Sequence, residues 1–406
     1  MGGGLLQLVA YGASDVYFTG NPEMTFFKKI HRRHTNFAIE TINIKSDESI
    51  NDYFGKKVVY IIGRNGDLVS DMILKIKLPE VGLNGLWSGY CNNIGHALVK
   101  EVEIEIGGQL IDKHYSEWLD ILDELNDNEE QRKILFKYKT EASLRTNNEA
   151  RTVYIPLQFW FCNNHGCALP LICLQYHEVR VNITFRTMAE LVKSNVDFNS
   201  PHGSIISADL QVDYIFLGVD ERRRFAIARH EFLITQLQYT SKNIEDNTVE
   251  DNTAIFRLNF NHHTKYLAWI FRTNIKGAQN AVTGNNYFNY TNSLNTKQIT
   301  DAILMLNGHE RMEVQDEDYF RLIQQKKHFN RISDKYIYVY SFSIKPLEYQ
   351  PSGNIQFSRI DNVILKTTMN GLEPCEWQVY AENYNILRIM EGKGGLAYSY
   401  DNYRTL

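Results

Sequence analysis

The sequence is poor in cysteine, in net charge and in long apolar runs, and each shortage closes off a class of protein. Five cysteines (Cys91, Cys162, Cys167, Cys173, Cys375) in 406 residues are too few, and odd in number, for a secreted disulfide framework. A formal charge of −5 argues against a specific nucleic-acid partner, because neutralising phosphates takes a Lys/Arg excess. No segment reaches the roughly 18 uninterrupted apolar residues that a membrane-spanning helix needs. The N-terminus lacks the basic-then-apolar order of a signal peptide, and Leu6 stands where a myristoylation signal has Ser or Thr. A reduced cytoplasmic setting with no anchor of its own is the expectation. Catalytic signatures are missing too: there is no GxSxG, no HExxH and no GxGxxG opening a helix.

What is present is aromatic and alternating. The chain holds 24 Tyr and 21 Phe, and 43% of its residues are hydrophobic, enough for a substantial core. In "DMILKIKLP", Met72, Leu74, Ile76 and Leu78 share one face and Lys75 and Lys77 the other. In "EVRVNITFRT", Val179, Val181, Ile183 and Phe185 alternate with Arg180, Asn182, Thr184 and Arg186. "LQVDYIFLG" and "YIYVYSFSI" behave alike. Period-two patterning of this kind marks half-buried strands. Helical spacing is rarer: Trp118, Ile121, Leu122 and Leu125 form a short stripe behind Ser116, which is expected to cap it with Glu117 in the first turn. A length of 406 residues exceeds what one core usually supports, so two domains are expected.

The two halves echo each other. "VEIEIGGQLIDKHYSEWLDIL" (Val102–Leu122) and "DAILMLNGHERMEVQDEDYFRLI" (Asp301–Ile323) each run from an apolar strand through a Gly turn to an aromatic-led amphipathic stretch. "RRHTNFAIE" is answered by "ARHEFLITQ", with Arg33-His34 matching Arg229-His230, and "PLQF" at Pro156 by "PLEY" at Pro346. The landmarks keep their order, which is the mark of an internal duplication. Halves of this length, with about eight strands and wide loops, fit a jelly roll better than an immunoglobulin sandwich. The charged run "FLGVDERRRFA" is the linker, and the Asn-rich stretches 241–253 and 284–299 are expected to be exposed loops.

Candidate chemistry is thin. Cys162, His165, Cys167 and Cys173 are four soft ligands, but lack the tight CxxC pairs of zinc sites and flank "ALPLICLQY", which reads as strand. "EGKGGLAYS" has no P-loop spacing and reads as a turn. The carboxylates of "DELNDNEE" read as a solvated helix end. His262 and His263 are adjacent and point to opposite faces if they lie on a strand. The sequons at Asn182 and Asn289 match the glycan pattern; Asn182 falls on a strand and Asn289 in a polar loop. In "KKIHRRH" (Lys28–His34), behind Phe26 and Phe27, six of seven residues are basic or histidine. The cluster is read either as an anionic-surface contact or as a strand entrance whose arginines bond carboxylates.

"GGGLLQLVAYGASDVYFTGNPEMTFFKKIHRRHTNFAIE" resembles the opening of major capsid proteins of nucleocytoplasmic large DNA viruses, of the phycodnavirus and mimivirus kind. The resemblance continues in "VYIPLQFWFCNNHGCALPLICLQYHEVRVNI", "VDYIFLGVDERRRFA", "YQPSGNIQFSRIDN" and "YAENYNILRIMEGKGGLAYS". It implies a mainly β double jelly roll: two tandem eight-stranded antiparallel sandwiches with a few short helices in the loops. The implied layout is an N-terminal arm over 1–24, a first roll over 25–219, and a second roll with its tail over 220–406. The implied function is structural and non-enzymatic, without cofactor or metal. A homotrimer would make a pseudo-hexameric capsomer tiling an icosahedral shell, as the major capsid protein or a minor paralogue of the same fold. Implied partners are neighbouring capsomers, minor capsid proteins and an internal viral membrane facing the arm, where Lys28, Lys29, Arg32 and Arg33 would make assembly contacts. The chain would be assembled in the host cytoplasm as a late protein and reside in the virion capsid. It is short for that family, with the missing length assigned to outward loops.

Two other classes stay on the table. A lectin would need exposed aromatics in a loop such as "NNYFNYTN" (Asn285–Asn292), and a cupin-like enzyme would need clustered His and carboxylate ligands.

Overall fold

The computed structural model describes residues 3–46, 52–80, 88–126, 150–194, 205–245, 252–273, 287–292, 295–371 and 373–398. Phe37–Leu406 forms one compact unit and Met1–Asn36 another.

The larger unit begins with β1 (Phe37–Ile44), β2 (Lys57–Ile62), β3 (Leu68–Leu78), β4 (Ser88–Tyr90), β5 (Val99–Ile106) and β6 (Gln109–Tyr115). After a helix at Ser116–Leu125 come β7 (Arg151–Pro156), β8 (Leu169–Pro170), β9 (Val179–Phe185), β10 (Val192–Ser194) and β11 (Ser207–Leu217). One antiparallel sheet has the order β1-β11-β3-β7, and the sheet facing it has the order β2-β9-β5-β6. The sandwich closes because alternation sends Met72, Leu74 and Ile76 of β3 and Val181 and Ile183 of β9 into one core.

A helix at Val219–Ile227, the linker of the sequence reading, leads into the second half. That half contains β12 (His230–Ile244), β13 (Thr253–Leu258), β14 (His263–Thr273), β15 (Ile299–Leu306), β16 (His309–Glu310) and β17 (Gln315–Asp316). A helical stretch at Tyr319–His328 precedes β18 (Tyr338–Ser341), β19 (Ile355–Gln356), β20 (Val363–Met369), β21 (Cys375–Met390) and β22 (Lys393–Leu396). Its sheets run β12-β21-β14-β18 and β13-β20-β15-β16. The two orders repeat those of the first half: one sheet joins the first strand, a long late strand (β11 or β21), the third and the seventh, and the other joins the second strand, the ninth and a hairpin pair (β5–β6 or β15–β16). The chain is a double jelly roll, and the sequence echo is a repeat of path.

The landmarks of that echo fall on equivalent turns. Gly107 and Gly108 have φ of 59° and 81°, and Asn307 and Gly308 have 50° and 81°. Two successive left-handed residues make the tight hairpin whose twist matches paired strands. Pro156 ends β7, and Pro346 follows its counterpart β18.

Several local expectations are corrected. Ser116 is the first helical residue and not the cap: its hydroxyl donates to the His96 carbonyl at 2.8 Å, and no side chain caps the helix. "ALPLICLQY" holds only the two-residue β8 followed by a 3-10 turn at Leu171–Cys173 and is not a continuous strand; Leu169, Pro170 and Leu171 are buried in succession, without alternation. Of the Asn-rich stretches, 241–244 belongs to β12 and ends on buried Ile244, while Phe288, Tyr290 and Asn292 are buried. The turn read in "EGKGGLAYS" is present, as the hairpin from β21 to β22 with Glu391 and Gly392 at φ 52° and 78°.

Candidate functional site

The most elaborate polar constellation lies where the two rolls meet. The Ser116–Leu125 helix carries Glu117, Asp120 and Glu124, which its pitch places along one side. All three are buried, as is Asp123, so these carboxylates do not form a solvated helix end; 127–130 lies outside the described residues. Burying a carboxylate is costly unless a cation and hydrogen bonds meet it. Here most of the cations come from the other roll. Arg272 of β14 approaches Glu117 Oε1 at 2.5 Å, joined by Arg186 at 3.0 Å. Lys335 reaches both oxygens of Asp120 at 2.6 Å and Glu124 at 3.3 Å. Asp120 also accepts from Asn93 and from the Tyr290 hydroxyl, each at 2.9 Å.

Aromatic rings cover much of the ions, leaving Arg272 and Lys335 partly exposed. The Arg186 and Arg272 guanidinium groups lie 4.7 and 4.9 Å from the Tyr287 ring centroid, a cation–π arrangement. Lys335 sits 5.2 Å from the centroid of Phe288. Burial, then the neighbouring Asp120 charge, pushes the Tyr290 phenol well above its ordinary value, so it stays a donor. The lectin reading needs these aromatics exposed; Phe288 and Tyr290 are instead occupied in the junction.

Beside the ions the contact is apolar. Trp118 stacks on Tyr380 and Tyr266 with centroids 5.6 and 6.1 Å apart, and Tyr115 meets Tyr239 at 4.5 Å. The Leu237 amide donates to Asp112 at 3.0 Å, and the Gln236 amide to the Ile111 carbonyl. One core cluster therefore runs from the first roll into Tyr266, Ala268, Ile270 and Tyr380 of the second. A cleft of about 490 Å³ remains between the rolls, with the buried pair His114–Asp112 and the pair of buried Lys265 with half-buried Glu382 in its wall. The arrangement is built to hold two sandwiches rigidly.

The residues singled out from sequence lie elsewhere. Lys28, Lys29, Arg32 and Arg33 are exposed in the smaller unit, outside its two short helices, Gly3–Val9 and Asp15–Thr19. Neither helix buries a residue, and Phe26 and Phe27 are 88% and 99% exposed. The Asn182 amide is buried and donates to Glu105 at 2.7 Å. Asn289 is half-buried, its oxygen accepting from the Thr291 amide and hydroxyl. The five thiols are free; Cys173 donates to the Phe225 carbonyl at 3.0 Å, and burial pushes its pKa up to about 11. His262 is left-handed at φ 61° just before β14, and His263 meets Asn354. Among the described residues no group of three His, Cys, Asp or Glu could hold a metal.

Tandem jelly rolls locked edge to face define the class of double jelly-roll capsid proteins. The sequence model of "major capsid protein N-terminus" matches residues 25–218, and that of "large eukaryotic DNA virus major capsid protein" matches 221–395. The chain belongs to the major capsid protein family of large eukaryotic DNA viruses and is a structural protein of the virion capsid. It is 41% identical to the major capsid protein of Pyramimonas orientalis virus over 434 aligned residues, and 39% identical to that of Paramecium bursaria Chlorella virus 1 over 450. Each alignment covers 98% of this chain and all of the relative. The alignments exceed 406 residues, so the relatives carry insertions that this chain lacks. A chain from a quasi-atomic model of the PBCV-1 virus capsid superposes with a TM-score of 0.77 at 34% identity, covering 92% of this chain and 100% of its own. The Faustovirus major capsid protein shares the fold, with a TM-score of 0.73 at 12% identity, over 94% of each chain.

Proposed function

We propose that three copies of this chain form a capsomer of pseudo-hexagonal outline that tiles an icosahedral shell. The carrying observation is the repeat of strand order: two like units per chain and three chains supply six similar units, which a hexagonal lattice requires. The rigid junction supports the reading, since a tile must hold its shape. On this reading the chain divides into an arm over 1–24, a first roll over 25–219 and a second over 220–406; the return of the strand order after β11 supports the division between the rolls.

The arm faces inward, toward minor capsid proteins and an internal membrane, with Lys28, Lys29, Arg32 and Arg33 as assembly contacts. Support comes from its exposed side chains, where aromatics beside cations suit an anionic, partly apolar surface. Neighbouring capsomers are the lateral partners, and assembly takes place in the host cytoplasm late in infection. The role is that of the major capsid protein or a minor paralogue. Of the two sequons, Asn289 is the one open to modification.

The test is the solution mass by light scattering over a dilution series, with and without added salt. A species of three chains is expected; a monomer persisting at high concentration would overturn the capsomer.

A further inference from the structure

The junction leaves one space unfilled. The cleft of about 490 Å³ has the size of a small-molecule site and the place such sites favour, the meeting of two folded units. Its wall comes from both rolls: the end of β7 and residues 157–164 from the first, β12 and residues 347–349 from the second.

The charges of the wall are already engaged. Asp112 accepts from His114 at 2.9 Å and from the Leu237 amide at 3.0 Å. Glu382 pairs with Lys265 at 3.1 Å, and Glu348 with Lys345 at 2.7 Å. Asp71 alone has no ion pair among the described residues; it accepts from the Met72 amide at 2.8 Å, and burial pushes its carboxyl above the ordinary value. A wall whose ions are spoken for does not select a ligand by net charge.

What stays free is neutral. Asn126, Gln158, Asn163 and Thr235 line the same space, half-buried or exposed, and their side chains have no hydrogen-bond partner among the described residues. Each side-chain amide both donates and accepts, and so does the threonine hydroxyl. A ligand hydroxyl also does both, whereas an ammonium only donates and a phosphate mainly accepts. Tyr349 adds an apolar face to this polar rim. The residue is 51% exposed while its hydroxyl lies against the Cys167 thiol of the first roll, so the ring is held in place and little freedom is lost when something stacks on it.

We infer that the cleft binds a neutral saccharide of one or two rings, its hydroxyls on Asn126, Gln158, Asn163 and Thr235 and its C–H face on Tyr349. The Asn285–Asn292 loop takes no part. The site is complete within one chain, so it does not depend on how many copies associate.

Saturation-transfer NMR and calorimetric titration of the full chain test it. The probes are glucose, galactose, mannose, xylose and fucose, then lactose and cellobiose, with spermidine and inorganic phosphate as charged comparisons. At least one saccharide is expected to bind with a dissociation constant on the order of 1 mM. Gln158→Ala with Asn163→Ala is expected to weaken it by about tenfold or more, and Tyr349→Ala by about tenfold. Tyr349→Phe keeps the ring and is expected to stay within about threefold of wild type, which separates loss of stacking from a loop that fails to fold. No saccharide bound would overturn the site, as would saccharide bound equally by wild type and by the alanine variants. Spermidine or phosphate bound in place of saccharide, and lost with the same substitutions, would also overturn it. None of these outcomes touches the capsomer, which stands or falls on solution mass.

Discussion

The helix Ser116–Leu125 and the helical stretch Tyr319–His328 hold the same place in the two rolls and have opposite fates. The first sinks four carboxylates and Trp118 into the junction; the second keeps Gln324, Gln325 and Phe320 buried against its own roll and turns lysines outward. Strand order, hairpin turn and helix position are common to both. What differs is the chemistry of the surface, because the covalent connection gives one edge a permanent neighbour and the other none. A duplicated fold can thus keep its path while its two surfaces are put to different uses.

The sharpest way to break that contrast is Glu117→Gln, which strands the buried Arg186 and the half-buried Arg272 guanidinium groups. It is expected to cost about 3–5 kcal/mol in calorimetric unfolding, while Lys326→Ala stays within about 0.5 kcal/mol. The hairpins offer a second contrast. A Cβ at Gly107 would fall 2.4 Å from His177 Nδ1, whereas Gly108 has open space, though both have positive φ. Gly107→Ala should lose about 2–3 kcal/mol and Gly108→Ala about 1 kcal/mol in denaturant melts.

A smaller effect concerns pH. Burial opposes ionisation of Glu103, but hydrogen bonds from Lys57 and Lys113 prevail and hold its carboxyl below the usual range. Its contribution is therefore complete above the unfolded value of about 4.3 and is lost as pH falls through the folded one. Glu103→Gln should lower stability at neutral pH and flatten the acid limb of a thermal-melt series. Last, Arg32→Glu with Arg33→Glu should leave melting and solution mass unchanged and reduce shell assembly seen by electron microscopy.

The first roll was legible because its sheets bury one face: Met72, Leu74 and Ile76 alternate with residues left half-buried. Alternation fades in "HTKYLAWIFRT", where both faces of β14 are covered and Tyr266 through Phe271 are all buried. The junction was hidden for a different reason. Glu117, Asp120 and Glu124 share a helix side, a readable spacing, but Arg272 and Lys335 lie far along the chain, so local sequence showed carboxylates without cations. "NNYFNYTN" has the composition of a turn, and only contact with the first roll makes Phe288 and Tyr290 core. Ser116 failed as a cap because the helix starts one residue earlier than read: Tyr115 holds the cap position and Ser116 is already helical.

The Val219–Ile227 connection, so far only a linker, also sets an order in time. Tethering makes the docking of one roll on the other intramolecular, at an effective concentration independent of how much protein is present. Any contact between chains must await accumulation. Each chain therefore finishes its own tile first, and growth of the shell becomes a matter of supply, beginning only once enough finished pieces are on hand.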